Sequence, residues 1–229
     1  MEIKPELTGN NKEKLSLEEK LTNQILREID AAKDDEAKKK LAAKLAEQIV
    51  DYQKLARLNE KMATVNQEIA DTDELTGLPN RRYFQKTLER EIKNNDRYQQ
   101  PLSLLVADVD KMKNLNDLDK SHLIGDKALK EIAGAIKNGV RDSDFPARWG
   151  GDEFVVILPR SDKEGSLKVA KRILENVKNL DPVSGINLSI SIGIAERQGN
   201  ENEDQFFKKA DAAAYQAKNL KQELIIADD

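Results

Sequence analysis

Two groups of acidic residues stand at the ends of apolar runs. Asp108 and Asp110 close the segment Leu104-Leu105-Val106-Ala107-Asp108-Val109-Asp110, and Gly150-Gly151-Asp152-Glu153 opens Phe154-Val155-Val156-Ile157-Leu158-Pro159. Runs of this length and composition read as strands, so Asp108 and Asp152 converge if the two strands are neighbours. Converging carboxylates are the hard oxygen ligands that Mg²⁺ requires, with Glu153 beside them. Gly150 and Gly151 permit backbone conformations and close ligand approach that a β-carbon would block, and so let the turn lie against phosphates. The chemistry implied is metal-assisted phosphoryl-type transfer, in which catalysis is mostly positioning and charge neutralisation. Asp110 has two readings, a further member of this group or the cap of a following helix. Gly-Gly-Asp between two strands is also an ordinary hairpin turn, so the rest of the chain must decide.

The elements that would position these groups alternate in type. Periodicity and turn signals predict a helix over about 80–97, a strand over 102–109, a helix over about 122–140, a hairpin through 145–158, a helix over 164–179, a strand over 187–195, a helix over 203–220 and a last strand near 223–227. This is an α/β (α+β) pattern: a mixed central sheet of about five strands flanked by helices. Before it, from Asn10 to Asp73, there is no glycine or proline, and Lys, Glu, Ala, Leu and Gln dominate, all good helix formers. Leu55, Leu58, Met62, Val65 and Ile69 follow the 3-4-3-4 spacing of a coiled-coil seam, whereas Ala37, Leu41, Leu45 and Ile49 are spaced by four. The polar cluster Asp30 to Asp35 divides the region into a short helix, about 16–31, and a long one, about 36–70. A helical hairpin that pairs between two chains fits this pattern, as does a straight parallel coil. The domain reading is a helical dimerisation and regulatory segment over 1–70 and a catalytic domain over 71–229.

Composition narrows the chemistry. Charged residues make up 35% of the 229, against about a quarter in an average domain. A net charge of −4 argues against nucleic-acid binding through a general basic surface. There is no cysteine, which excludes disulfides, thiol catalysis and thiolate metal sites, and the single His122 excludes a multi-histidine zinc site. No apolar run approaches membrane-spanning length and Met1 to Lys14 is polar, so the expectation is a soluble, cytoplasmic protein without a membrane partner.

Five segments occur in an order that resembles the GGDEF family, the diguanylate cyclases: Asp73-Glu74-Leu75-Thr76-Gly77-Leu78-Pro79-Asn80-Arg81-Arg82, the Asp108 strand with His122-Leu123-Ile124-Gly125-Asp126 after it, Gly150-Gly151-Asp152-Glu153-Phe154, Leu188-Ser189-Ile190-Ser191-Ile192-Gly193-Ile194-Ala195, and Ala210-Asp211-Ala212-Ala213-Ala214-Tyr215-Gln216-Ala217-Lys218. The resemblance implies a fold related to the palm of nucleotide cyclases and polymerases, and condensation of two GTP into cyclic di-GMP by a homodimer paired through its N-terminal helices. It also implies Mg²⁺ (or Mn²⁺) on Asp108, Asp152 and the Val109 carbonyl, with Glu153 completing the metal shell or helping to deprotonate the 3′-hydroxyl. Lys113 and Lys218 match positions that contact the phosphates. Asn116 and Asp126 match residues that hydrogen-bond guanine, and a carboxylate accepts from the N1–H and N2–H edge that adenine lacks. Arg141-Asp142-Ser143-Asp144 lies where the family has its inhibitory R-x-x-D product site, with Arg141 a bidentate donor and Asp144 an acceptor.

The chain also departs from the pattern. Leu118-Asp119-Lys120-Ser121 is one residue longer than usual and lacks its glycine, which shifts Asn116 relative to Asp126. Met112 replaces a usual phenylalanine, and His122 reads as structural. The arginine expected at Gln222 is absent, with Lys221 as a substitute. These departures keep open a catalytically weak or inactive domain that binds GTP or cyclic di-GMP. An enzyme making mixed cyclic GMP-AMP is disfavoured by Asp126, and a C-terminal domain that is a relic beside a working coiled region is the remaining alternative.

Overall fold

The computed structural model describes residues 23, 27–31, 34–118 and 122–227. The chain divides into two compact units, Met1–Gln67 and Glu68–Asp229. In the first, residues 27–31 are helical and the chain bends at position 34, where the Asp34 carboxylate accepts the Ala37 N–H at 2.7 Å. Helix α1 then runs over Asp35–Asp71. The interruption read at Asp30 to Asp35 is therefore a helix start, while most of the short helix read over about 16–31 lies outside the described residues. No residue of α1 is buried, and each of Leu55, Leu58, Met62, Val65 and Ile69 is at least 50% exposed.

In the second unit the order is α2 (Arg81–Tyr98), β1 (Leu102–Val109), α3 (Met112–Asp117), α4 (Leu123–Gly139), β2 (Phe145–Arg148), β3 (Glu153–Pro159), α5 (Lys163–Lys178), β4 (Ile190–Glu196), α6 (Glu203–Leu220) and β5 (Leu224–Ile226). The strands form one sheet in the order β2-β3-β1-β4-β5, antiparallel except for the parallel pair β4–β5. This is the mixed five-stranded sheet expected. Central strand β1 reads as a continuous apolar run because both its faces are covered. Leu105 joins Ile132, Ile136, Val156 and Ile173 under α4 and α5, and Leu104 and Val106 join Phe84, Leu88, Val155 and Phe206 under α2 and α6.

Two details depart from the periodicity reading. Helix α3 was not anticipated; it is a six-residue turn that Lys111, at φ 57, starts by reversing the chain after β1, burying Met112 and Leu115. Strand β4 begins at Ile190, because Val183 and Ile186 first exchange both backbone hydrogen bonds at 3.0 Å across Ser184 and Gly185. Both turn residues have positive φ, the geometry of a tight two-residue turn.

Candidate active site

Sheet register brings the predicted carboxylates together. Asp108, next to last in β1, pairs with Glu153, the first residue of β3, and the Val109 N–H donates to the Asp152 carbonyl at 3.0 Å. On its other side Asp108 is level with Ser191 of β4. The Ser191 hydroxyl donates to the Asp110 carboxylate at 2.8 Å, and the Asp110 N–H donates to the Ser189 carbonyl. Asp110 is thus fastened to β4. It does not cap α3, whose N-cap residue is Lys111 with no side-chain cap bond.

From α6 the Lys218 ammonium pairs with Asp108. Burial pushes the Asp108 carboxyl up, and repulsion from Asp152 and Asp110 adds to this, outweighing the pull of Lys218 in the other direction. Burial also raises Glu153, helped by Asp108, Asp152 and Asp211. For Lys218 burial acts downward, but Asp108, Asp152 and Asp110 together hold it above its ordinary value. Among the described residues no three of these groups already close as an ion cage. The donor set nonetheless fits a hard divalent cation: oxygens only, with Asp108 and Glu153 both raised by burial and by acidic neighbours, a penalty that a cation relieves.

The glycine turn is shaped by its neighbours. The Glu153 carbonyl accepts the N–H groups of Trp149 at 2.9 Å and Gly150 at 3.3 Å. A β-carbon on Gly150 would lie 2.6 Å from Glu153 Oε2. Gly150 therefore makes room for the carboxylate; neither it nor Gly151 is among the glycines with positive φ, so left-handed backbone is not why they are there.

Sequence reasoning missed what holds this turn. Arg148 donates through Nη1 to both Asp73 oxygens at 3.1 and 3.2 Å and through Nη2 to the Gly151 carbonyl at 2.7 Å, while its N–H reaches the Pro79 carbonyl. Its Nε is buried without a partner. Asp73 is itself set by the Thr76 N–H and hydroxyl at 2.9 and 2.6 Å. Burial acts to raise its carboxyl, but the Thr76 and Arg148 bonds win and hold it low. Asn80 and Arg82 then reach back to the end of α1: Asn80 Nδ2 donates to the Ala70 carbonyl at 2.9 Å, and Arg82 donates through Nε and Nη2 to Asp71 at 3.1 and 2.9 Å. The available signal was an Asp-x-x-Thr turn with no assigned role and an arginine directly before Trp149.

Asn116 on α3 packs against the first turn of α4, which carries Asp126. A β-carbon on Gly125 would fall 2.1 Å from Asn116 Oδ1 and 2.9 Å from Met112 Cε, so the Asn116 side chain lies directly on Gly125. Residues 119–121 of the longer loop lie outside the described residues. His122, at φ 60, starts α4 without a side-chain cap bond, and its carbonyl accepts the Asp126 N–H. Lys113 is an exposed residue of α3. Lys221 ends α6 at φ 54.

Arg141 and Asp144 separate in role. Asp144 is only 6% exposed, and its carboxylate accepts the Arg141 N–H at 2.8 Å and the Ser143 hydroxyl at 3.4 Å. It shapes the turn, whereas Arg141 lines a groove of about 540 Å³ that includes Tyr98, Phe145 and Arg160 but not Asp144.

The mixed sheet in the order β2-β3-β1-β4-β5, with acidic residues at adjoining strand ends and a Gly-Gly turn, is a palm-like arrangement. Residues 70–223 match the model described as diguanylate cyclase, GGDEF domain, and the chain belongs to that family. It is 40% identical over 153 residues to diguanylate cyclase DgcP of Pseudomonas aeruginosa, covering 64% of this chain and 22% of that protein. With diguanylate cyclase DgcM of Escherichia coli it shares 37% over 170 residues, 74% of this chain and 40% of that one, and with response regulator PleD of Caulobacter vibrioides 39% over 157 residues, 66% and 34%. The chain thus spans well under half the length of these curated relatives. Among solved structures, the coiled coil and GGDEF domain of DgcB from Caulobacter crescentus in complex with c-di-GMP aligns with a TM-score of 0.71 at 29% identity, over 82% of this chain and 99% of that one. SiaD from Pseudomonas aeruginosa, in complex with its activator SiaC, aligns at 0.66 and 29%, over 94% and 88%. Among the described residues no helix is long and apolar enough to cross a membrane.

Proposed function

We propose that this chain is a diguanylate cyclase that condenses two GTP into cyclic di-GMP and two pyrophosphates as a homodimer with Mg²⁺ or Mn²⁺. The observation that carries the reading is the set of Asp108, Asp152 and Glu153 at adjoining strand ends with the Lys218 ammonium among them. Asp108, Asp152 and the Val109 carbonyl would hold the cation, which when bound neutralises phosphate charge. Glu153, raised above the ordinary carboxylate range, is suited to take the 3′-hydroxyl proton or to join the cation's ligands. Lys218 and Lys113 offer ammonium donors to the phosphates, and the backbone at Gly150 and Gly151 lies against them. Asn116 and Asp126 select guanine. Incubation with Mg²⁺ and GTP, and separately with GTP plus ATP, followed by mass identification of products, tests the assignment: cyclic di-GMP supports it, and binding of GTP without any cyclic product supports a binding module instead. The absence of an arginine at Gln222 favours that second reading.

Pairing of two chains rests on the exposed α1 seam, since a lone helix would leave this stripe wet. Deleting residues 1–70 should lower specific activity at nanomolar protein and make it rise more steeply than linearly with concentration, because the helices supply effective concentration rather than site residues. Truncated protein as active as the full chain at nanomolar concentration would exclude this role.

Product inhibition is assigned to Arg141, with Asp144 holding its turn. Arg141→Ala removes a bidentate donor, a loss of about 2 kcal/mol of binding. It should relieve inhibition, non-competitive with GTP, without lowering the initial rate. Calorimetric titration with cyclic di-GMP reads the affinity, and equal values for parent and variant would make Arg141 an ordinary surface arginine.

A further inference from the structure

We infer that Arg81 is a positioning residue that acts through Trp149 to hold the Gly150-Gly151 turn in register for catalysis, an inference that rests on the cyclase reading above. The turn is braced by hydrogen bonds at Arg148 and Gly151. Trp149, between them, has a different support. Its N–H closes the turn on the Glu153 carbonyl at 2.9 Å, and its ring is held by packing from two helices. Arg81, at the first position of α2, places its guanidinium 4.0 Å from the indole centroid. Phe207 of α6 lies 4.3 Å from the indole, tilted by 32°, and Phe84 of α2 meets it edge-on at 5.3 Å. Trp is the best aromatic face for a cation, and the planar guanidinium of Arg stacks on it readily. Arg81 is otherwise exposed, so this stack is the contact that fixes it.

The three elements joined by the stack are those the site depends on. Trp149 directly precedes the turn that carries Asp152 and Glu153. Phe207 stands one helical turn before Asp211, whose charge reaches Glu153, and on the helix that carries Lys218. Arg81 belongs to the segment that also holds Asp73 against Arg148. A shift of the indole would move the turn backbone through the Trp149–Glu153 hydrogen bond, and small misplacements of reacting groups are costly in rate.

Trp149 is the only tryptophan of the chain, so its emission reports the stack directly. In the full chain, Arg81→Ala should red-shift Trp149 emission, increase its quenching by acrylamide, and lower kcat roughly tenfold with KM kept within about twofold. The melting temperature should stay close to that of the parent, since an exposed side chain is removed. A double-mutant cycle separates positioning from direct phosphate contact: if Arg81 acts through the indole, Arg81→Ala has little further effect in a Trp149→Ala background. An equal loss of kcat in both backgrounds, or unchanged emission and quenching in the single variant, would overturn the proposal. The optical arm requires no turnover, so it judges the stack even if the parent makes no cyclic di-GMP, a result that would defeat the cyclase reading alone.

Discussion

Asp108→Ala and Asp152→Ala should each abolish cyclic di-GMP formation while leaving a folded protein, a loss on the order of 10³-fold or more in rate. Both groups lie where β1 and β3 end beside each other, and removing either takes one charged oxygen donor from the proposed cation site. The fold should tolerate the change. Because burial and neighbouring carboxylates raise Asp108 in the folded chain, its stabilising contribution is present below its unfolded value and is lost as pH rises through its folded one. At pH 7 the ionised carboxylate therefore adds nothing net, and its partner Lys218, with 41% of its side chain exposed, is left to water. Asp108→Asn, which keeps the shape, should melt no lower than the parent at pH 7, with any difference shrinking as pH falls into the carboxylate range. Chelation of divalent cations should match the Ala variants in activity. Product formed by either variant within about tenfold of the parent rate would overturn the site assignment.

Gly193→Ala should cost more than about 3 kcal/mol of stability, the upper part of the range for overpacking. Gly193 lies in β4, between β1 and β5, with α6 pressed onto it. A β-carbon there would stand 2.1 Å from Ala214 N, 2.3 Å from Ala210 O and 2.7 Å from Ala213 C. All three are backbone atoms, so no rotamer change relieves the contact and the whole helix must shift. That helix also carries Lys218, so activity should fall with stability. Gly134 in α4 is the contrasting case. A β-carbon there meets nothing within 4 Å, and Gly134→Ala should stabilise by roughly 0.5–1 kcal/mol. Urea denaturation of both variants measures the difference; a Gly193→Ala midpoint close to the parent's would mean that α6 can lift from β4 without loss.

The elements and the candidate residues were legible in the sequence because each is a local property. The period of two in β4, the unbroken apolar run of β1 and the 3.6-residue pattern of α4, α5 and α6 report which side chains must leave water, and the bounds of α6 and β1 agree with that reading residue for residue. The GGDEF motif itself, with its acids at strand mouths, is also local. Partners are not. That Asp108 stands opposite Glu153, that Ser191 rather than α3 takes the Asp110 carboxylate, and that Arg148 spans 75 residues of sequence to Asp73 depend on strand order and register, which no periodicity encodes. Gly150 reads in the sequence as conformational freedom and room for a ligand; it has no positive φ, and only the folded turn puts the Glu153 carboxylate where a β-carbon would go. Asp144 reads in the sequence as a ligand acceptor; only the fold shows that it is 6% exposed and accepts the Arg141 N–H and the Ser143 hydroxyl within its own turn. Helix α3 escaped notice because six residues with two apolar contacts are too short for a period to show, and its place is set by the left-handed Lys111 and by the floor that β1 and α4 offer to Met112 and Leu115. Hydrophobic pattern decides which face of an element is buried; the packing of one element on another decides which polar groups meet, and in this chain the candidate site is made of those meetings.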